Sequence, residues 1–377
     1  MSTSPMAHAQ FPPSSMHRVL VCPASWKMER QAPSRPPHPA AVHGTFLHDV
    51  IAPHLIRGER PTRESVPPEV DKADLNTLQD HFDYISMILS TCQHPSPMTI
   101  ERKVDLSEWG LDMLWGTPDV VIKDGDTIHI LDHKFGITPV HAYRNAQLLI
   151  YAAGAAGCPP NYNRVVVHIL QYRVFETPDT YECSVEDLEL FIEEVREAIF
   201  EAQSANPSFH PDPHACQFCA GSMVCRARLE AEYANARKVL SGMKQNPMVS
   251  LEELSQFFNY TESVVKYRSQ IGKYLTEKIL SGEQVPAKRV VAGRGTYKWK
   301  NEAQLLSFME SNGVNPANVY TSKLMSPNQV KTAYRRFAKD EEFKALFEKS
   351  PGKPQLVDAD DKRPDYLSLD DIDFSAL

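Results

Sequence analysis

Apolar and polar positions alternate along the chain in two periods. Between Leu75 and Ser90, Leu75, Leu78, Phe82, Ile85 and Leu89 recur at helical spacing. Between Ser184 and Gln203, Leu188, Phe191, Ile192, Val195 and Ile199 do the same, with Ser184 and Asp187 as a start signal. Phe46, Leu47, Val50 and Ile51 predict a further helix from Gly44, capped by Thr45 and stopped by Pro53. Runs rich in Val and Ile predict strands over Met98–Leu106, Met113–Lys123, Thr127–Lys134 and Arg164–Tyr172, and Asp124-Gly125-Asp126 joins the second and third as a hairpin. Ala142–Gly154 suits a helix. The order is helix, three strands, helix, strand, which predicts an α/β fold with a mixed central sheet flanked by helices.

The flanks divide the rest. Residues 1–17 are expected to be a disordered tail, because the first forty residues hold eight prolines and little periodicity; Arg18–Trp26 is an apolar island in them, carrying Cys22. A domain over 18–240, a linker over 241–255, a basic and mainly helical region over 256–350 and an acidic tail over 351–377 complete the division. The N-terminus lacks a basic region followed by an apolar core, and no stretch approaches the ~18 apolar residues of a membrane span. A cytoplasmic protein without membrane contact is expected.

Composition adds that the 377 residues are 42% hydrophobic and 23% charged, which excludes a chain disordered throughout and the fibrous classes. The net charge of −8 hides an uneven distribution. Asp358–Asp373 carries −5, whereas Val264–Lys300 sets nine basic residues against Glu277 and Glu283 and interleaves them with Tyr267, Tyr274, Tyr297 and Trp299. Lys288, Arg289, Arg294, Lys298 and Lys300 of that stretch are candidates to follow a phosphate backbone. The competing reading is a solvated helix face followed by a lysine-rich hairpin.

The chemistry concentrates around the hairpin. On a strand, residues two apart share a face, so Asp132 and Lys134 project together, and the preceding strand can bring Asp119 of Gly116-Thr-Pro-Asp119 beside them. Two carboxylates and a lysine suit Mg²⁺ or Mn²⁺ with a phosphodiester substrate. Gln147 and Tyr151 lie one turn apart on the following helix, where they can hold a nucleic-acid backbone or the lysine. Glu101 stands on the strand before Asp119 and is not expected to be a ligand. Cys216, Cys219 and Cys225 have ligand spacing and lack a local fourth partner; Cys92, Cys158 and Cys183 have no such spacing and read as buried or half-buried thiols.

Taken in order, Gly44-Thr45-Phe-Leu-His48, Gly116-Thr-Pro-Asp119, Asp132-His-Lys134, Gln147-Leu-Leu-Ile-Tyr151 and the cysteine triplet resemble the RecB-like nucleases of the PD-(D/E)XK superfamily, in the branch with an iron–sulfur cluster. That branch includes the CRISPR-adaptation exonucleases and phage relatives, and Lys288–Arg363 is similar to the C-terminal extension of the phage and prophage members. The resemblance implies a restriction-endonuclease-like core with a helical C-terminal extension. It implies Asp119, Asp132, Lys134, Gln147 and Tyr151 as catalytic residues, His48, Asp119, Asp132 and the His133 carbonyl as ligands to Mg²⁺ or Mn²⁺, and Gln147 and Tyr151 as DNA contacts. Cys22 would join Cys216, Cys219 and Cys225 around a [4Fe–4S] cluster; the alternative is zinc, with His210 or His214 completing the triplet. The function so implied is a metal-dependent DNA exonuclease acting at ends in phage recombination, replication or repair, in the host cytoplasm if phage-encoded, with an annealing protein or helicase as a partner. The alternatives are a non-catalytic DNA-binding or assembly module on a nuclease fold and a structure-specific endonuclease.

Overall fold

The computed structural model describes residues 9–32, 39–241, 250–293, 295–319, 324–334, 337, 340–349 and 352–366. The chain forms two compact units, Met1–Arg237 and Lys238–Leu377.

The first unit begins with α1 (Pro13–Val21), α2 (Ala24–Gln31), α3 (Pro39–Arg57) and α4 (Lys72–Thr91). Strands β1 (Thr99–Ile100), β2 (Val104–Leu106), β3 (Leu111–Gly116), β4 (Val120–Asp124) and β5 (Thr127–His133) follow, then α5 (Ala146–Ala156), β6 (Arg164–Leu170), β7 (Asp179–Ser184), α6 (Val185–Gln203), α7 (Pro213–Phe218) and α8 (Arg226–Ser241). Five strands make a mixed sheet in the order β1-β4-β5-β6-β7, and β2 and β3 pair separately. Only β5 and β6 are parallel, because α5 carries the chain back between them; the other pairs are antiparallel. The β4–β5 hairpin pairs Asp124 with Thr127 and turns through Gly125 at φ 58°, where glycine avoids the clash of a Cβ.

Both faces of the sheet are covered. Ile128, Ile130, Val165, Val167 and Ile169 pack with Leu148, Leu149 and Tyr151 of α5 and Leu188, Phe191 and Val195 of α6. Val120, Ile122 and Leu131 pack on the opposite side with Leu47, Ile51 and Leu55 of α3 and Leu78, Phe82 and Ile85 of α4. This is the α/β architecture with a mixed sheet between helices that the periodicities predict, and α4 and α6 start where their caps are, at Asp71 and Ser184.

Several boundaries differ. Residues 9–17 are not a free tail: Phe11 and Met16 are fully buried, Phe11 stacks on Trp26 at 4.9 Å, and Pro13 opens α1, where a missing N–H costs nothing. Residues 1–8 lie outside the described residues. Pro53 does not stop α3; Ile51 and Leu55 on either side are buried, and that packing carries the helix to Arg57. The run Met98–Leu106 divides into β1 and β2 at Glu101, whose φ is 45°, and the next run divides into β3 and β4 at Thr117-Pro118-Asp119. Strand β7 was not anticipated, because Asp179-Thr-Tyr-Glu-Cys-Ser is half polar, as suits a sheet edge.

The second unit contains α9 (Leu251–Leu280), β8 (Lys288–Ala292), β9 (Tyr297–Trp299), α10 (Glu302–Ser311), α11 (Pro327–Ala333), α12 (Glu341–Ala345), β10 (Phe347–Lys349) and β11 (Pro354–Asp358). Its core gathers Leu305, Phe308, Met309, Phe337 and Phe343. The expected linker over 241–255 is overrun by α9, which the Ser250–Glu253 capping box starts at Leu251; residues 242–249 lie outside the described residues. The region is less helical than expected, since β8 pairs with β11 and β9 with β10. The expected acidic tail is therefore structured at Pro354–Asp358, and its last residues, 367–377, lie outside the described residues. Among the described residues no helix is long and apolar enough to cross a membrane.

Candidate active site and cysteine cluster

Alternation on β5 sends Asp132 to the α5 side of the sheet and His133 to the α4 side. Asp132 is 3% exposed, and its carboxylate lies 2.5 Å from the Lys134 ammonium. Lys134 also approaches Gln147 Oε1 at 3.5 Å, and Gln147 Nε2 donates to the Tyr151 hydroxyl at 3.2 Å. Asp119, in the bend before β4, accepts the His133 backbone N–H at 2.7 Å and meets His48 Nδ1 at 3.2 Å. Thus α3, the β4–β5 hairpin and α5 bring His48, Asp119, Asp132, Lys134, Gln147 and Tyr151 into one connected site.

Charge within it is balanced by contact. Burial pulls the His48 imidazole down, but the hydrogen bond and charge of Asp119 outweigh it and raise its pKa above the ordinary value. Burial pushes the Asp119 carboxyl up, and His48 with the His133 N–H overcomes this and holds it low. Asp132 is raised, by burial first and by the neighbouring Asp119 charge, while Asp132 keeps Lys134 protonated against its own desolvation.

Three further residues take a part at the site that their sequence context does not disclose. Gly116 is one: a Cβ there would lie 2.7 Å from Tyr151 Cε1, so glycine lets the tyrosine ring seat against β3. His81 is another; its Nδ1 is 3.0 Å from His133 Nδ1, and its ring stacks on His133 and Phe135 behind the site. Burial holds both imidazoles neutral, lowering His133 to about 4 and His81 well below its usual value. Glu101 is the third. Its N–H donates to the Asp119 carbonyl at 3.0 Å, and burial and the Asp119 charge raise its carboxyl pKa. Helical periodicity marks His81 only as a polar position on an apolar face.

The donor set suits a hard divalent cation in kind, with two carboxylates whose mutual repulsion a cation would relieve and an imidazole beside one of them. In distance, among the described residues no three His, Cys, Asp or Glu side chains are drawn together as an ion-binding group. Here His48 contacts Asp119 and the Lys134 ammonium contacts Asp132.

The cysteines meet elsewhere in the same unit. Cys22, Cys216, Cys219 and Cys225 all line one cavity of ≈ 20 Å³ between the α1–α2 corner and the loop after α7. The corner is tied to the segment between α6 and α7 by Ala24 N–H to Ser208 O at 3.1 Å and His210 N–H to Cys22 Sγ at 3.4 Å. Gly221 permits the approach, since a Cβ there would lie 2.6 Å from the Met28 carbonyl oxygen. Burial raises the thiols of Cys216 and Cys219, the latter to about 11, so thiolates form here only if a cation takes them. Neither His210 nor His214 lines the cavity, and the His214 ring packs on Phe218. Four cysteines and no histidine line this cavity, and among the described residues they are not drawn together as an ion-binding group. Cys158 is exposed, not buried, while Cys92 is half-buried and Cys183 buried.

The basic residues singled out in the sequence lie in the second unit. Lys288 and Arg289 stand on β8, Lys298 on β9, and Lys300 follows β9; Arg294 lies outside the described residues. Arg289 is committed within its own unit, to Asp365 at 2.9 Å and to the carbonyls of Asp361 and Arg363. That arginine holds the chain after β11 in place.

Among solved structures, the crystal structure of SSO0001 is similar to 60% of this chain over 90% of its own length, at 10% identity and a TM-score of 0.27. A family described as a protein of unknown function, DUF2800, matches residues 8–364, nearly the whole sequence, and the chain belongs to that family.

Proposed function

We propose that this protein is a metal-dependent deoxyribonuclease on a restriction-endonuclease-like PD-(D/E)XK core, acting at DNA ends. One observation carries the reading: two contact groups from three separate elements, His48–Asp119 and Asp132–Lys134–Gln147–Tyr151, meet where Asp119 accepts the backbone N–H of His133, the residue between Asp132 and Lys134. Asp119 and Asp132, helped by His48 and the His133 carbonyl, would hold Mg²⁺ or Mn²⁺. Such an ion supplies a nucleophile from water at neutral pH and neutralises charge on the phosphodiester.

The rest falls to the chain's own groups. The Lys134 ammonium, charged because Asp132 keeps it so, lies where it can orient the attacking water or meet charge growing on a phosphoryl oxygen. Gln147 fixes the lysine from the other side and in turn is fixed by Tyr151, which leaves the amide and phenol edges to face a backbone. His48 holds Asp119 in its ionised form. At the second site, four thiolates around a [4Fe–4S] cluster, with Zn²⁺ as the other candidate, would close the N-terminal helices onto the end of the unit.

The test is digestion of end-labelled linear and of circular DNA with Mg²⁺ or Mn²⁺. Linear DNA is expected to be degraded and circular DNA spared, and Lys134→Ala or Asp132→Asn is expected to slow degradation by ~10²-fold or more. Cleavage by the variants at the wild-type rate, or none by the wild type with either metal, refutes the assignment. Degradation of circles would instead mark an endonuclease.

A further inference from the structure

We infer a second nucleic-acid contact in the first unit, at the end of α5 remote from Gln147: a cationic groove that takes a single strand by its phosphates and bases. The inference rests on the deoxyribonuclease reading for the nature of the ligand, and extends it to a surface that no motif marks.

The groove has a volume of ≈ 540 Å³ and is lined by Arg102, Lys103 and Lys123, with Asp105, Glu108 and Asn161. The two carboxylates do not cancel the three cations. Three cations stand against two carboxylates, which leaves a net positive charge: Asp105 accepts the Ser107 N–H at 3.1 Å and also feels the Lys103 charge, and Glu108 accepts the Cys158 N–H at 2.9 Å. Among the described residues, none of the three cations is held in an ion pair by a carboxylate. Two of them rest on aromatic faces instead: Lys103 Nζ is 4.3 Å from the Trp115 ring centroid, and Lys123 Nζ is 5.4 Å from that of Tyr162.

An exposed lysine on a ring is weakly held. A phosphate offers it a stronger partner, and its departure uncovers an aromatic face on which a base can stack. Each lysine–ring pair therefore supplies both parts of a sequence-tolerant contact to a strand. Position links the groove to the candidate active site. Strand β4 leads from Asp119 to Lys123, a path of ~13 Å, and α5 leads from Gln147 and Tyr151 to Gly154 at the groove. Gly154 is needed there, since a Cβ would lie 3.0 Å from Val104 Cβ and 3.1 Å from the Asp105 carbonyl oxygen and would push α5 off β2.

The experiment titrates the full chain against a fluorescein-labelled oligonucleotide of about twenty deoxythymidines, without divalent cation, over a range of KCl. Arg102→Gln/Lys103→Gln/Lys123→Gln is compared with Arg57→Gln/Lys72→Gln/Lys344→Gln, which removes as many exposed cations elsewhere. The groove variant is expected to bind about tenfold more weakly at low salt, with a salt slope shallower by ~0.7 per lost contact, and the control to bind within about twofold of wild type. Tryptophan emission should respond to the oligonucleotide, and that response should disappear in Trp115→Phe. Equal binding by groove variant and control, or no binding by the wild type, overturns the inference. The two readings fail separately. If Asp132→Asn abolishes cleavage while the groove variant binds like the control, the groove is wrong and the nuclease stands. If the groove variant loses binding but the wild type never cleaves, the groove stands as a nucleic-acid site and the nuclease reading falls.

Discussion

Tyr151 reaches the Lys134–Gln147 contact only because Gly116 has no side chain. A Cβ at Gly116 would press on Tyr151 Cε1 at 2.7 Å and on Pro13 Cγ at 3.0 Å, with α1 on one side and α5 on the other. Neither helix can yield freely, since both are packed into the main core. Gly116→Ala is therefore expected to cost ~1–3 kcal/mol as overpacking and to slow cleavage by displacing the tyrosine from Gln147. Tyr151→Phe removes the hydroxyl and leaves the ring volume, so it should lower activity with little change in stability. Urea midpoints of the two variants separate the effects, and a Gly116→Ala protein as stable as wild type would disprove the steric account.

Among the elements, α3 sets His48 against Asp119 in spite of Pro53. A proline inside a helix leaves the carbonyl four residues back without its donor and crowds it, so α3 persists on tertiary packing by Leu47, Ile51 and Leu55. Pro53→Ala is expected to stabilise the first unit by ~1 kcal/mol or more, up to the ~3 kcal/mol of an interior proline; thermal melts that show a loss would mean that a kink at Pro53 is needed to seat His48. The same helix shows what a sequence can and cannot disclose. The cap of α6 and the periodic faces of α4 and α6 are local, so they are legible in Ser184, Leu78 and Leu188, whereas α4 starts ahead of its first periodic residue, at the Asp71 cap. The end of α3 is decided by burial against the sheet, which no window of residues contains. The breaks at Glu101 and Thr117-Pro118 escape for a related reason: the Val and Ile that announce strands continue across them, while the backbone turns to bring Glu101 N–H onto the Asp119 carbonyl. Asp119, Asp132, Lys134 and the cysteine triplet are legible because chemistry restricts residue type and spacing together. His81 and the groove at Lys103 and Lys123 are assembled from positions with no common motif, and only the fold brings them into register; Gly116 opens the Gly116-Thr-Pro-Asp119 motif, but its close approach to Tyr151 belongs to the fold.

At the scale of the molecule, the cysteine cavity joins residues that the sequence separates by most of the first unit. If it holds a cluster or a metal ion, loss of any ligand should loosen the whole unit: Cys22→Ser and Cys225→Ser are expected to lower its melting temperature to the same extent, and the double variant no further. Independent, additive losses would show that the four sulfurs do not act together. A second global property follows from histidines buried as neutral bases. Burial lowers His168 to about 3, with His129 beside it, and lowers His133 to about 4; His81 and His129 are lowered too. A folded-state pKa below the unfolded value of ~6.5 means that the unfolded chain binds more protons between the two. Stability is thus fully present above pH ~6.5 and falls as the pH drops towards 4, by up to ~1.4 kcal/mol per pH unit for each such histidine. His48 acts in the opposite sense, because its raised value favours the folded state below pH ~6.5 and is lost as the pH rises through it. Burial lowers His17 to about 4 as well; with five lowered imidazoles against one raised among the described residues, acidification from pH 7 to 5 is expected to shift the urea midpoint down, and His168→Gln to make that shift smaller by about one proton's worth. A midpoint that holds or rises on acidification would mean that these rings exchange protons with solvent in the folded protein, and that the stack of His81, His133 and Phe135 behind the site is open to water.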